Sequence, residues 1–365
     1  ELLRALNCWC GDTKRHAATL CHQRRWPLDG PRGAQRPAAT GEDRPRREHV
    51  HKALRVLEAS SGTGQHRVDR RRLQVEQARL ELGLDRPLYQ QYLRYLGQVL
   101  HGDLGTSVRS HRPILDDLRI YLPATLELVL ASMAISTLVG VPLGVLAAVH
   151  KDSGLDRGCR LFAVLNISMP VFWLALILQL AFSQSLGWLP LGGRVSREVS
   201  LFAPIQQVTG LYLVDAALTG NGPAFWDALV HLILPAVALS SYGIGMSLRM
   251  TRANMVDVMG QKYILAARAA GLDPWTVHFR LALKNAIVPS LVILGLMFVW
   301  QMTGAVLVEI LFFWPGLGTY LMDAVLNIDF PAIVSVTLVV TVMYVLTSLA
   351  LDLVQAMIDP RVALE

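Results

Sequence analysis

Amide and ionisable side chains within long apolar runs are where this sequence could do chemistry. Asn166 and Gln179 interrupt one such run and Gln301 another, while Glu127, His231, Glu309 and Asp352 stand at run ends. In hydrocarbon such groups are costly, so those that persist bond between helices or line a solute path. Asn166, Gln179 and Gln301 are therefore candidates for either role. The four groups at run ends can reach water, which weakens the functional reading. Asp329, between two later runs, could attract a cation or an amino terminus, or be a solvated loop residue.

Other chemistries find little support. Cys8, Cys10 and Cys21 with His16 and His22 fit no standard zinc spacing, so no metal site is expected. No G-x-x-x-x-G-K-[ST] occurs, and SGTG at 61–64 lacks the following Lys, so the chain itself should not cradle ATP phosphates. No Ser/His/Asp array is readable in the apolar runs. Neither catalysis nor a cofactor held by this chain is expected.

The elements that would position these groups are helical and membrane-spanning. The chain is 53% hydrophobic and 17% charged, with mean hydropathy +0.39. A soluble globular chain carries nearer a quarter charged residues. Five apolar runs are readable, giving spans at about 128–149, 161–183, 230–250, 286–308 and 332–354. Lipid demands internal backbone satisfaction and the runs lack a period of two, so they are helices. Pro142, Pro170, Pro235 and Pro289 should each bend one.

Basic residues mark the cytoplasmic side. The loop 150–160 holds Lys151, Arg157 and Arg160, and 251–285 is the longer basic loop. The segments 184–227 and 312–331, like 76–122, then face outside. By the same parity the tail 1–75, with 16 Lys/Arg and 8 Asp/Glu, would also lie outside unless another helix precedes the first run. Its composition reads as a disordered basic arm, and without aromatic interleaving it carries no nucleic-acid signal.

The polar insert TRANMVDVMGQKYILAARAAGLDPWTVHFRLALKN separates two spans. A helix is expected from Thr251 to Ala270, with Gly260 tolerated inside it. Gly271 fits the left-handed position that ends a helix. Asp273 can cap the next one and Pro274 fits its first turn. Trp275, Phe279 and Ala282 would share one face. Such an element could rest in lipid headgroups or dock in a groove on another protein.

AARAAG at 266–271, followed by LALKNAIVP, resembles the EAA-type motif of ABC importer permeases, in the dipeptide/oligopeptide/nickel branch. HGDLGTS, YLPATLEL, ISMPVFWLALIL, GWLPLGG and FFWPGLGTYLMDAVLNIDFPAIV agree in order, from about Val75 to the C-terminus. Leu265 stands where the wider motif has Glu, and Lys284 where it has Pro. The family's first transmembrane helix is expected to be missing, and residues 1–74 look unrelated. The resemblance implies a type I importer permease fold, all-α, with a coupling helix in a cleft of a cytoplasmic ATPase. It assigns that contact to Ala267, Arg268, Gly271, Leu272, Asp273 and Trp275. The implied partners are a second homologous permease, two ATPase subunits that bind the ATP, an extracytoplasmic binding protein and membrane lipid. The implied location is the inner membrane of a prokaryote, and the cargo is peptide or a related small solute. Alternatives are a stand-alone carrier, which would need coupling charges at mid-membrane, and a truncated, non-functional permease.

Overall fold

The computed structural model describes residues 87–358. The tail 1–75, its Cys and His residues and SGTG lie outside the described residues, as does the side chain of Asp352. The chain divides after Arg94. Helix α1, Leu88–Leu100, begins before that division and exposes Tyr89, Tyr92 and Leu93. The remainder is helical, and the described residues contain no strand.

Two long helices form the centre. Helix α2 is Ile114–Val149, with 36 residues. Helix α7 is Gly222–Met259, with 38 residues. At 1.5 Å per residue each exceeds 50 Å, well past a hydrocarbon core of about 30 Å. Both therefore project beyond the lipid. They approach at small residues. A Cβ on Gly140 would lie 2.6 Å from Ser247 Cβ, and one on Gly144 would lie 2.7 Å from Thr251 Cβ. Without side chains at those positions the backbones meet closely, which is how helices gain packing energy in lipid.

Between α2 and α7 the chain forms α3, Gly154–Ser168, and α4, Val171–Leu178, which continues as a π-helical turn over Gln179–Ser185. The span 161–183, expected to bend at Pro170, is broken there into two helices, α3 and α4, bent by 101°. Pro170 has no N–H to donate, and both Met169 and Pro170 adopt extended backbone. Pro142, Pro235 and Pro289 instead stay inside continuous helices.

Short helices α5, Arg197–Phe202, and α6, Tyr212–Leu218, lie in the segment before α7. After α7 come α8, Lys262–Ala269, a π-helical turn over Thr276–Ala282, and α9, Leu283–Leu311. Helices α10, Leu317–Leu326, and α11, Phe330–Ile358, complete the described chain. Among the described residues α2, α7 and Phe330–Ala350 of α11 are long and apolar enough to cross a membrane, and the bent α3–α4 pair adds a fourth if it is one crossing. The expected span 286–308 lies within α9, whose apolar portion Gly295–Leu311 is shorter.

Two apolar clusters hold the bundle. The larger joins α2, α7, α9 and the outer connection through Leu128, Leu239, Met302, Phe312 and Trp314. The smaller, at the cytoplasmic ends, joins Val145, Ala148 and Met255 to Ile264, Val277 and Ala282 of the polar insert.

Candidate coupling site

The polar insert starts where α7 stops. Gly260 ends that helix, its N–H bonding back to Asp257 O. This corrects the expected continuous helix from Thr251 to Ala270. Gly260 keeps helical backbone and the chain leaves the helix at Gln261, which is extended; a glycine favours helix continuation less than other residues do.

Helix α8 then ends at Ala270 in a Schellman turn. Leu272 N–H donates to Ala267 O at 3.2 Å and Gly271 N–H to Arg268 O at 3.0 Å. Gly271 has φ +73°, the left-handed conformation this turn requires. Asp273 caps the succeeding helical turn, its Oδ2 accepting from Thr276 N–H at 3.2 Å. From Thr276 to Ala282 that turn is π-helical. Its wider winding rotates Ala282 away from Trp275. Ala282 is buried, whereas Trp275 and Phe279 are exposed and stacked with ring centroids 4.0 Å apart. The expected single face of Trp275, Phe279 and Ala282 is thus two faces.

The inner face, Ile264, Val277 and Ala282, packs on the ends of α2 and α7. Asn285 Nδ2 of α9 donates to Tyr263 Oη of α8 at 2.7 Å. The outer face presents Leu265, Leu272 and Trp275, the last 65% exposed. Ala267 is half-buried and Arg268, Gly271 and Asp273 are exposed. The insert is therefore fastened to three spans and offers an apolar ridge to the cytoplasm. The π-helical turn runs directly into α9.

Residues 140–364, a stretch that includes the whole insert, match the family described as binding-protein-dependent transport system inner membrane component. The chain belongs to this family. It is a multi-pass transport permease of the inner membrane. It is 44% identical over 288 residues to the probable D,D-dipeptide transport system permease protein of Escherichia coli, covering 79% of this chain and 84% of that one. It is 40% identical to a dipeptide transport system permease protein of Alkalihalophilus pseudofirmus, covering 77% and 83%. It is 36% identical to an oligopeptide transport system permease protein of Bacillus subtilis, covering 77% and 82%.

In this permease the polar groups inside the spans are mostly engaged. Gln301, buried, accepts from Ser132 Oγ at 2.9 Å and donates to Ser136 Oγ at 3.3 Å, joining α9 to α2. Gln179, at the start of the π-helical turn after α4, donates to Leu191 O at 3.1 Å and to Leu311 O at 2.9 Å, tying that turn to an outer connection and to the end of α9. Asn166 is half-buried and donates to Phe162 O of its own helix at 2.9 Å. Asp329 is not a solvated loop residue. It is 1% exposed and accepts from Ser107 Oγ at 2.6 Å and from the backbone N–H groups of Arg109 and Ala332. Burial pushes its carboxyl up, but the hydrogen bonds led by Ser107 outweigh that and hold it below the usual range.

Glu127 and Glu309, two of the acids at span ends, are buried as well. Glu309, fully buried, accepts from Gly318 N–H at 2.7 Å, from Thr319 N–H at 3.1 Å and from Thr125 Oγ1, and so caps α10. This explains the glycines of FFWPGLG. A Cβ on Gly316 would run into the Glu309 carboxyl, and one on Gly318 would meet Val306 Cα at 2.6 Å. Glu127 accepts from Leu213 N–H at 2.7 Å and pairs with Arg194 at 2.5 Å. His231 is buried, its Nδ1 lying 2.8 Å from Asp227 O.

Sequence reasoning passed over Arg194. Its guanidinium sits 3.5 Å from the Tyr212 ring centroid and 5.7 Å from that of Trp314, clamping the outer segment onto α2. The one local signal was its place directly after GWLPLGG. Asp156 was also missed. It is fully buried and held by Arg252 in a bidentate pair of 2.6 and 2.8 Å, linking α3 to the cytoplasmic end of α7. Among the described residues no group of three His, Cys, Asp or Glu is placed to hold a metal ion.

Proposed function

We propose that this permease forms half of the translocation pathway of an ATP-driven importer of short peptides. The peptide reading rests on the names its relatives carry, a D,D-dipeptide, a dipeptide and an oligopeptide system. A second homologous permease supplies the other half, two cytoplasmic ATPase subunits bind the ATP, and an extracytoplasmic binding protein delivers cargo. The chain itself needs no cofactor and makes no covalent change in its cargo.

The observation that carries the coupling role is the two-faced insert. Its inner face is packed on the spans, and its outer face offers Trp275 and Leu272 beside the fixed turn at Gly271 and Asp273. Ala267 and Arg268 complete the contact. Exposed Trp in a rigid frame is a strong anchor for a partner groove. Asn166, the pathway candidate whose side chain bonds only within its own helix, is the one left open to a solute role.

Reconstitution with the partner permease and ATPase subunits tests this. Trp275→Ala should leave the folded permease intact and weaken ATPase binding by at least about tenfold, 1.4 kcal/mol. Cargo-stimulated ATP hydrolysis should fall with it. Unchanged affinity and unchanged stimulation in that variant would overturn the coupling role. Transport that persists without the ATPase subunits would overturn the importer reading.

A further inference from the structure

Where α9, α10 and α11 meet they surround a cavity of about 190 Å³. Met302 and Val306 of α9, Leu321 of α10 and Val336 and Val340 of α11 form its apolar floor. One end is closed by Thr125, Leu317 and Gly318, which belong to the network around Glu309. Met302, Val306, Val336 and Val340 lie in the apolar parts of α9 and α11, so the cavity is at membrane depth. An apolar hole of about 150 Å³ accepts benzene. This one therefore has room for the side chain of a leucine or a phenylalanine.

The rim is polar. Thr303, Thr337 and Thr341 border the cavity and are exposed. Each hydroxyl donates its proton to its own helix, to Val299 O at 3.3 Å, Ile333 O at 2.8 Å and Thr337 O at 2.8 Å. Their oxygens keep lone pairs, so the rim accepts from N–H groups. An apolar floor with a few polar groups at its edge is the make-up of a small-ligand site.

The sides of α11 show which way the mouth faces. Val336 is buried against the bundle. Val334, Val342, Val345 and Leu349 share an exposed side that is apolar, as a surface against lipid tails is. Thr337, Thr341 and Tyr344 fall at i, i+4 and i+7 on another side, exposed and bearing hydroxyls. Polar groups on a span face water-filled space or other helices rather than hydrocarbon. Helices that pack closely in lipid do so through small residues, and Tyr344 is not one.

We infer that Thr303, Thr337, Thr341 and Tyr344 face the translocation pathway, and that the cavity takes an apolar side chain of the peptide cargo while the threonine oxygens accept from its N–H groups. The inference rests on the proposed peptide importer and adds a specificity pocket to it. The pocket shares a wall with the coupling element, because the π-helical turn of the insert runs into α9.

The full chain, reconstituted in liposomes with its partner permease, ATPase subunits and binding protein, is given ATP and labelled alanyl-phenylalanine or glycyl-glycine. Thr341→Phe places bulk over the mouth. It should lower uptake of alanyl-phenylalanine relative to glycyl-glycine by at least about tenfold, the discrimination an apolar pocket supplies. Val345→Phe adds the same ring on the lipid side and should leave the ratio unchanged. In the same complex, with the four native cysteines of this chain replaced by serine, Thr337→Cys, Thr341→Cys and Tyr344→Cys should react with a charged, water-soluble thiol reagent, and Val342→Cys and Val345→Cys should not. If the first three react no faster than the last two, lipid or the partner permease covers that side and the inference falls. If they do react but the uptake ratio in Thr341→Phe equals that of wild type, the importer stands and the pocket is refuted. A wild-type complex that takes up neither dipeptide would overturn the peptide importer itself, and the pocket with it.

Discussion

Glu309 accepts a 2.6 Å hydrogen bond from Thr125, a residue 184 positions earlier. The same Thr125 hydroxyl accepts from Leu317 N–H at 2.7 Å. One carboxylate and one hydroxyl thus close the first turn of α10 against α2 and α9. Removing the carboxylate would strand the buried N–H groups of Gly318 and Thr319. Glu309→Ala should cost roughly 3 kcal/mol, the scale for orphaned buried donors. Glu309→Gln keeps an acceptor for those N–H groups and a donor for Thr125, so it should cost less than half as much. Thermal unfolding in detergent decides. Equal losses in the two variants would remove the capping explanation.

The α2–α7 contact should be intolerant of a single methyl group. Gly140→Ala places Cβ against Ser247 Cβ and 2.9 Å from the Ile244 backbone oxygen, which cannot move aside as a side chain would. A loss of about 1–3 kcal/mol is expected. Gly158 in α3 has open space around its Cβ position. Gly158→Ala should stabilise α3 slightly by helix propensity, up to about 1 kcal/mol. The pair of unfolding curves separates close packing from propensity.

Asp156 and Arg252 should behave as a coupled pair. Asp156 is fully buried, but the Arg252 side chain is 19% exposed, so the pair is worth less than a fully enclosed one. Asp156→Asn and Arg252→Gln should each destabilise by about 2 kcal/mol, with the double variant little worse than either. Additive losses would show that the two side chains act independently.

The outer segment should loosen in acid. Asp215 is buried and accepts four hydrogen bonds of 2.7–3.1 Å, from the N–H groups of Val208, Thr209 and Gly210 and from the Thr209 hydroxyl. Burial pushes its carboxyl up, and these bonds more than offset that, leaving it below the usual range. Its stabilisation is therefore fully present above the unfolded value of about 3.9 and is lost as pH falls through the lower folded value. Amide protection across 208–215, corrected for the intrinsic exchange rate at each pH, should fall over that window. In Asp215→Asn the corrected protection should be lower throughout and independent of pH, while a retained dependence would point to another acid.

The turn of the insert was legible because its determinants are neighbours in sequence. Gly271, Asp273 and Pro274 specify a helix end and a helix start through bonds that span no more than five residues. The apolar runs were legible for a similar reason, since a helix in lipid satisfies its own backbone. Two local readings still failed. Gly260 ended a helix it was expected to join, and the π-helical turn after Trp275 changed the period on which the single-face expectation depended.

By itself the sequence determined an all-α membrane chain, its basic cytoplasmic loops and the capped turn in the polar insert. Each of these follows from composition or from short-range bonding. Only the tertiary structure decided what the polar residues do. Gln179 and Gln301 read equally well as pathway or structure, Asp329 as a cargo-attracting or a solvated loop residue, and Glu309 as a run-end group able to reach water, because their partners lie in other elements. The fold surrounds each with donors or acceptors from distant segments, such as Ser132 for Gln301 and Ser107 for Asp329. Once buried, a polar group must be paired, and the pairing leaves it little freedom to meet a solute. The same folding left Trp275 exposed, and that is the group on which the proposed coupling role now rests.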